Sequence, residues 1–554
     1  MCAYRLLITA IIVALFSFAS FAQQETTAKK SAAGLTANEQ KAASRLRSQT
    51  IREVTTILAS KGMEGRGTAQ PGADRAAKYI AERFAKLGLK PGGDANTYLQ
   101  TIKFIVERVS PESSFKASDT SFKYKEDFLV FPPFPTEPKD IRGNLIFVGY
   151  GVISEKLKRN DLKDVDVKGK VVMVLGGKPK NVDNQICAKE ASQEAVFGRL
   201  ILKGAAGFVI VWEDRQNLSF SLLAEHLRRR QTRLAQAPSM LFKIPPIIIV
   251  NERMAEKLFT GQSITFPQAR RMAETGNWVS RDLNNPITLS IRVKREEGTS
   301  SNVIAVLEGS DPKLRDQAVI ITAHYDAYGI DEDGTIYPGA ADNALGVGKL
   351  IAIAESMKEA KLQLRRSIIF IALTGEEYGS LGAEHWVSHP TWPIEKVAAN
   401  INYDSIGTEA WGPLGTIIDV GYNHSDLEVI INDVAASYGI SILPDPMPEQ
   451  ELLSRSDHYT FFKRGIPALF LIGGPKNDNL PELLKRANSW LKTHYHMSTD
   501  TVQLDWDWEG VRTLSKLGLI TCLRIANQEA MPAWKPDSPY NRPRGTNLPP
   551  PEKQ

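Results

Sequence analysis

The sequence predicts an α/β protein, a doubly wound and largely parallel sheet domain interrupted by a second, β-rich α/β domain. Two short apolar runs, residues 318–323 and 368–373, are unbroken and rich in β-branched side chains, the pattern of strands buried on both faces of a parallel sheet. Between them Val347, Leu350, Ile351, Ala354 and Met357 recur at helical spacing. Strands and helices then alternate as far as residue 523, which is how a doubly wound sheet reads. A chain of 554 residues also exceeds the size at which one core stops growing, so more than one domain is expected.

Taken in order, residues 1–22 have the form of a secretory signal. Arg5 precedes an apolar run over 6–18, and Ser20-Phe21-Ala22 places small residues where signal peptidase reads, with cleavage expected after Ala22. The run is short for a spanning helix, so the mature protein is expected to be exported, periplasmic or secreted, with no stable membrane span. Residues 23–143 read as a polar linker or frayed helix to about Leu46 followed by the first part of the sheet domain: a helix over 51–60, a turn Met63-Glu64-Gly65-Arg66-Gly67-Thr68, and an amphipathic helix opened by Pro71-Gly72 and stopped by Gly88. From 144 to 286 short β-rich runs such as 145–151, 171–174, 207–211 and 247–250 mark the inserted domain. Residues 287–530 return to the alternating pattern, and the proline-rich 531–554 is expected to be an extended, partly disordered tail.

The net charge of +5 is small and dispersed, which does not indicate a nucleic-acid partner. The dense run Arg228-Arg229-Arg230 with Arg233 is read as a solvated helix face. Beyond the signal only Cys187 and Cys522 remain, too few for a disulfide framework and expected to be buried free thiols.

The chemistry gathers where the apolar runs stop. The first ends on His324-Tyr325-Asp326, a helix begins near Asp342, and the second run ends on Gly375-Glu376-Glu377. Each therefore lies at the C-terminal edge of a sheet strand or at the helix that follows, where open α/β sheets build their sites. Imidazole and carboxylate oxygens are zinc's usual ligands, and a shared carboxylate can hold two ions close together. Of two adjacent glutamates, one can bind metal while its neighbour accepts a proton.

The ordered set His324-x-Asp326, Ala341-Asp342-Asn343, Gly375-Glu376-Glu377, Asn402-Tyr403-Asp404 and His496-x-x-x-Asp500-Thr501 resembles the M28 family of co-catalytic zinc peptidases. The Glu-Gly-Arg-Gly turn is similar to that family's N-terminal segment, and the insert resembles its protease-associated domain. The resemblance implies two Zn2+ ions per chain. Asp342 would bridge them, His324 and Asp404 would complete one set, and Glu377 and His496 the other. Glu376 would be the general base that activates the shared water, and Asp326, counted with it in the catalytic set, would orient the His324 imidazole. The family also holds the bond after its bridging aspartate in cis. The proline usual after the closing histidine is missing here, where Met497 follows His496. Tyr495, His458 and Tyr459 are expected at the substrate, Tyr495 as an oxyanion donor and the other two as pocket wall. The implied activity is removal of N-terminal residues from peptides. The alternatives are a zinc carboxypeptidase of the type carrying this insert, a single-zinc glutaminyl cyclase, or a receptor-like relative without catalysis.

Overall fold

Ten strands make the sheet that carries the site: β1 (Lys90–Pro91), β2 (Leu99–Val109), β3 (Gln231–Leu234), β4 (Val293–Leu307), β5 (Ala318–His324), β6 (Ser367–Leu373), β7 (Val397–Asn402), β8 (Thr416–Asp419), β9 (Ser441–Leu443) and β10 (Ala468–Gly474). Their order is β3-β2-β4-β6-β5-β7-β10-β8-β9, with β1 on β4. The central β6-β5-β7-β10 are mutually parallel, while β4 and β8 run antiparallel to their neighbours β6 and β10. In this computed structural model residues 34–547 are described, except 133, 136, 138, 164, 178, 180–191, 214–218, 237–244, 278, 279, 405–409, 411, 446–451 and 476–479.

Alternation along β5 and β6 shows why both runs are wholly apolar. Val319, Ile321, Ala323, Ile368, Phe370 and Ala372 enter one core, whereas Ala318, Ile320, Ile369, Ile371 and Leu373 enter the core on the opposite face. Every residue of both strands is buried. Helices α1 (Ala37–Arg45), α2 (Ser48–Leu58), α3 (Pro71–Lys86), α4 (Leu345–Ala360) and α5 (Trp508–Asn527) supply the first core, and Trp386, Phe461, Phe462 and Trp534 much of the second. After β5 the chain passes through α4 to β6, then by helix Leu381–Ser388 to β7 on the other side of β5. Strand order thus reverses at β5, and the crevice beyond the C-terminal ends of β5, β6 and β7 is the topological switch point.

The chain divides into two compact units, one running up to residue 104 with 232–235 and from 297 on, the other comprising 105–231 and 236–296. The second unit has its own eight-stranded sheet and core. It begins at residue 105, earlier than the expected 144, because strands Ser114–Ala117 and Lys139–Phe147 both pair with Arg281–Ile291, a long-range pairing that local pattern does not mark. Within it Val171–Leu175, Gly207–Val211 and Ile247–Val250 are parallel neighbours.

Of the two readings of the segment before Leu46, the described part is helical, since α1 carries a capping box between Thr36 and Glu39 and buries Ala42 and Ala43. Two further expectations are corrected. Arg229 and Arg230 are buried rather than on a solvated helix face, because helix Phe220–Leu227 ends before them and the chain enters β3. The tail is packed as far as it is described: Trp534 is buried and donates to the Gly465 carbonyl at 2.9 Å, and Arg544 donates to the Val397 carbonyl at 2.8 Å. Aromatic and arginine side chains among the prolines give that segment enough to bury. Cys522 is a buried free thiol, while the signal segment and Cys187 lie outside the described residues. No helix among the described residues is long and apolar enough to cross a membrane.

Candidate metal centre

His324 is the last residue of β5, Glu376 and Glu377 follow β6 after Thr374-Gly375, and Asp404 follows β7 by two residues. Asp342 lies in the irregular turn 340–344 that leads into α4, and the Asp342–Asn343 peptide is cis, as the resemblance implied. Asp500 holds that turn in place: its two carboxylate oxygens accept from the backbone N–H groups of Ala341 at 2.9 Å and Asp342 at 3.1 Å. Asn343 ties it to the end of β7 by donating to the Tyr403 carbonyl at 2.9 Å.

The Asp342 carboxylate faces two imidazoles. Its Oδ1 is 3.2 Å from His324 Nε2, and its Oδ2 is 3.2 Å from His496 Nε2. His324 Nε2 is also 3.0 Å from Asp404 Oδ1, and His496 Nε2 is 3.1 Å from Glu377 Oε2. Two triads result, His324–Asp342–Asp404 and Asp342–Glu377–His496, each with its donor atoms within 4.8 Å of one another and with Asp342 common to both. One imidazole and two carboxylates per triad is a donor set that suits zinc, and three protein ligands leave a coordination position open. The residues present therefore fit a pair of zinc ions.

Glu376 belongs to neither triad, although its Oε2 is 3.9 Å from His324 Nε2. Burial, and after it the charges of Asp404, Asp457 and Glu377, hold its pKa well above the ordinary carboxylate value against the pull of His324. Burial also works against charge on the two imidazoles, but the carboxylates around them prevail: His324 is raised well above its usual value and His496 to about 9. Asp342 is held low because the two imidazoles outweigh its burial. So many buried carboxylates around two imidazoles make a site that calls for added positive charge.

The supporting residues differ in part from expectation. Asp326 reaches His324 Nδ1 through its backbone carbonyl at 3.2 Å, nearer than its carboxylate at 3.7 Å. That carboxylate instead accepts from the Glu376 N–H at 3.1 Å and the Thr68 hydroxyl at 3.0 Å. Tyr495 stacks on the His496 ring, centroids 3.7 Å apart, and its hydroxyl accepts from Arg455 at 3.2 Å. His458 is fully buried and stacks on Phe470, so it is not a pocket wall. Tyr459 packs against Tyr540 and Lys463 rather than any triad residue. Both departures follow from the short helix His458–Lys463 facing the packed tail. Sequence reading missed Tyr328, whose hydroxyl lies 3.2 Å from His496 Nδ1, and Asp457, a buried acid pushed up to about 8 by burial and the charges of Asp404 and Asp326. Asp457 directly precedes His458 in the sequence, but Tyr328 has no local signal at all.

Burial holds the His458 imidazole down at about 3. An unfolded histidine titrates near 6.5, so the unfolded chain takes up this proton first as pH falls. The associated stability is complete above about 6.5 and is lost as pH falls toward 3. Between pH 7 and 5 the unaltered protein should lose about 2 kcal/mol more than His458→Gln, the size of a 1.5-unit gap in proton affinity. Urea melts of chelator-treated protein at the two pH values measure this, and equal losses would refute it.

With this geometry in place, comparison with known proteins is informative. The model of peptidase family M28 matches residues 302–519. This segment is similar to an M28 peptidase domain. A leucine aminopeptidase 2 of Trichophyton rubrum is 26% identical over 236 residues, covering 39% of this chain and 43% of that protein. A vacuolar membrane protease of Clavispora lusitaniae is 25% identical over 224 residues, 37% of this chain and 20% of that protein. The chain thus spans less than half the length of these relatives. In fold, it is similar to an aminopeptidase from Aneurinibacillus (TM-score 0.58, 18% identity, 90% of this chain and 98% of that one) and a zinc aminopeptidase from Bacillus subtilis (TM-score 0.55, 18% identity, 88% and 97%). His324, Asp342, Glu377, Asp404 and His496 all lie within the matched segment, so both triads fall inside it.

Proposed function

We propose that the protein is an exported di-zinc aminopeptidase that removes N-terminal residues from peptides, with Glu376 as its general base. The observation that carries this reading is the single Asp342 carboxylate facing His324 with one oxygen and His496 with the other, beside a buried glutamate that serves neither triad. His324, Asp342 and Asp404 would hold one ion, and Asp342, Glu377 and His496 the second. Bound there, zinc supplies Lewis-acid polarisation of the scissile carbonyl and of the attacking water.

The chain's own residues do the rest. Glu376 takes the proton of the attacking water and passes it to the leaving amine, a role suited to a carboxylate whose proton affinity burial has raised. Asp326 fixes the Glu376 backbone, and Tyr328 fixes the face of His496. Tyr495, stacked on His496, would donate to the developing oxyanion. The second unit is read as the protease-associated insert, and residues 1–22 as the export signal. The names of the relatives, leucine aminopeptidase and zinc aminopeptidase, support the choice of N-terminal cleavage. Arg455, whose guanidinium meets Tyr495, offers a cation that a carboxypeptidase would need for a terminal carboxylate.

A panel of aminoacyl amides and their N-acetylated counterparts separates the two. Free-amine substrates should be cleaved, blocked ones should not, and chelation should abolish turnover until zinc is restored. Release of C-terminal residues from N-blocked peptides would instead establish the carboxypeptidase reading.

A further inference from the structure

Arg66 is among the largest fully buried side chains of the described residues, yet it is a cation and is remote in sequence from every triad residue. Its guanidinium donates to four carbonyls: Nε to Tyr325 at 2.5 Å, Nη1 to Leu58 and to Pro338 at 2.6 Å each, and Nη2 to Gly339 at 2.7 Å. Tyr325 directly follows His324, and Gly339 stands three residues before Asp342. One rigid planar fork therefore spans two of the three loops from which the first triad is drawn, those of His324 and Asp342. Gly339 has φ 56°, and a Cβ there would lie 2.4 Å from the Asp342 carbonyl and 2.9 Å from Arg66 Nη2, so the close approach needs glycine.

The same turn reaches the general base. Thr68, also fully buried, donates to one oxygen of Asp326, whose other oxygen accepts from the Glu376 N–H. Gln70 then brackets Ile330, accepting from its N–H at 3.0 Å and donating to its carbonyl at 2.9 Å, and Gly67 forms a parallel bridge with Ala327. Residues 66–70 thus run alongside 325–330 and anchor them at Tyr325, Asp326, Ala327 and Ile330.

We infer that the turn from Arg66 to Gln70 is a positioning element for the metal centre, with Arg66 setting the spacing between the His324 and Asp342 loops and Thr68 fixing Asp326 and through it Glu376. The charge on Arg66 has a second use. It is the buried cation that faces Asp500, Asp326, Glu377 and Asp342, so it offsets part of their mutual repulsion before any ion arrives. This inference rests on the two-zinc reading above.

The test compares Arg66→Lys, which keeps the charge but not the fork, and Thr68→Val, which keeps the shape but not the hydroxyl. Zinc affinity is read by competition with a chelating dye, and melting temperature with and without zinc. Arg66→Lys should bind zinc about 10- to 100-fold more weakly, the usual cost of losing a group that orients ligands, and its zinc-induced rise in melting temperature should shrink. Thr68→Val should keep zinc stoichiometry while kcat falls about tenfold with KM unchanged. Equal melting losses with and without zinc, at unchanged zinc affinity, would show that Arg66 only stabilises the fold and overturn its part. If Arg66→Lys does not fold, Thr68→Val decides: wild-type kcat there overturns the inference. Failure of the unaltered protein to bind zinc would overturn the two-zinc reading itself, a result distinct from all of these.

Discussion

Replacing Glu376 by glutamine should lower turnover by at least about a hundredfold, the lower end of what a positioned acid–base group contributes, while leaving the zinc content unchanged. The substitution preserves size and removes only the ability to accept a proton. Because Glu376 stands outside both triads, neither ligand set loses a donor. Its backbone N–H still meets Asp326, so the loop should keep its shape. Metal analysis and steady-state kinetics on the same preparation give both numbers. Near-normal kcat with full zinc would remove Glu376 from the mechanism, and lost zinc would make it a ligand.

Asp342→Ala should be more damaging, since it deletes a donor from both triads at once. Loss of a group that merely orients ligands costs about 10- to 100-fold in affinity or activity, so loss of the common carboxylate should exceed about a hundredfold in activity and reduce bound zinc at both positions. Asp404→Ala touches one triad and Glu377→Ala the other. Each of these should leave the opposite ion bound. Zinc-to-protein ratios across the three variants would reveal whether the carboxylate is truly common, because an Asp342 variant that loses one ion only would break the symmetry on which the reading depends.

Much of this centre is legible in the sequence because its parts are local. His324, Asp342, Glu377 and Asp404 sit at or just past a strand's end or where a helix begins, while His496 lies in the turn after helix Leu480–Thr493, and strands such as β5 and β6 announce themselves by wholly apolar runs that two opposed cores require. What escaped the sequence depends on partners far along the chain. Arg66 meets carbonyls more than 250 residues away, and although its turn is similar to a family segment, nothing in that turn marks its side chain as buried. His458 has a sequence context that suggests a pocket, but its burial is decided by Phe470 and by the tail that packs over the same helix. The second unit's early boundary was hidden for a like reason, since Lys139–Phe147 finds its partner at Arg281–Ile291. Pro-rich composition misled at the other end, where Trp534 and Arg544 outweigh the prolines between them.

The triads are drawn from positions spread between His324 and His496, with Asp342 the member that each requires. A growing polypeptide released before His496 could assemble at most the first of them. Truncation between Asp404 and His496 would leave the donors of the first triad alone, and truncation before Asp404 would leave neither set complete.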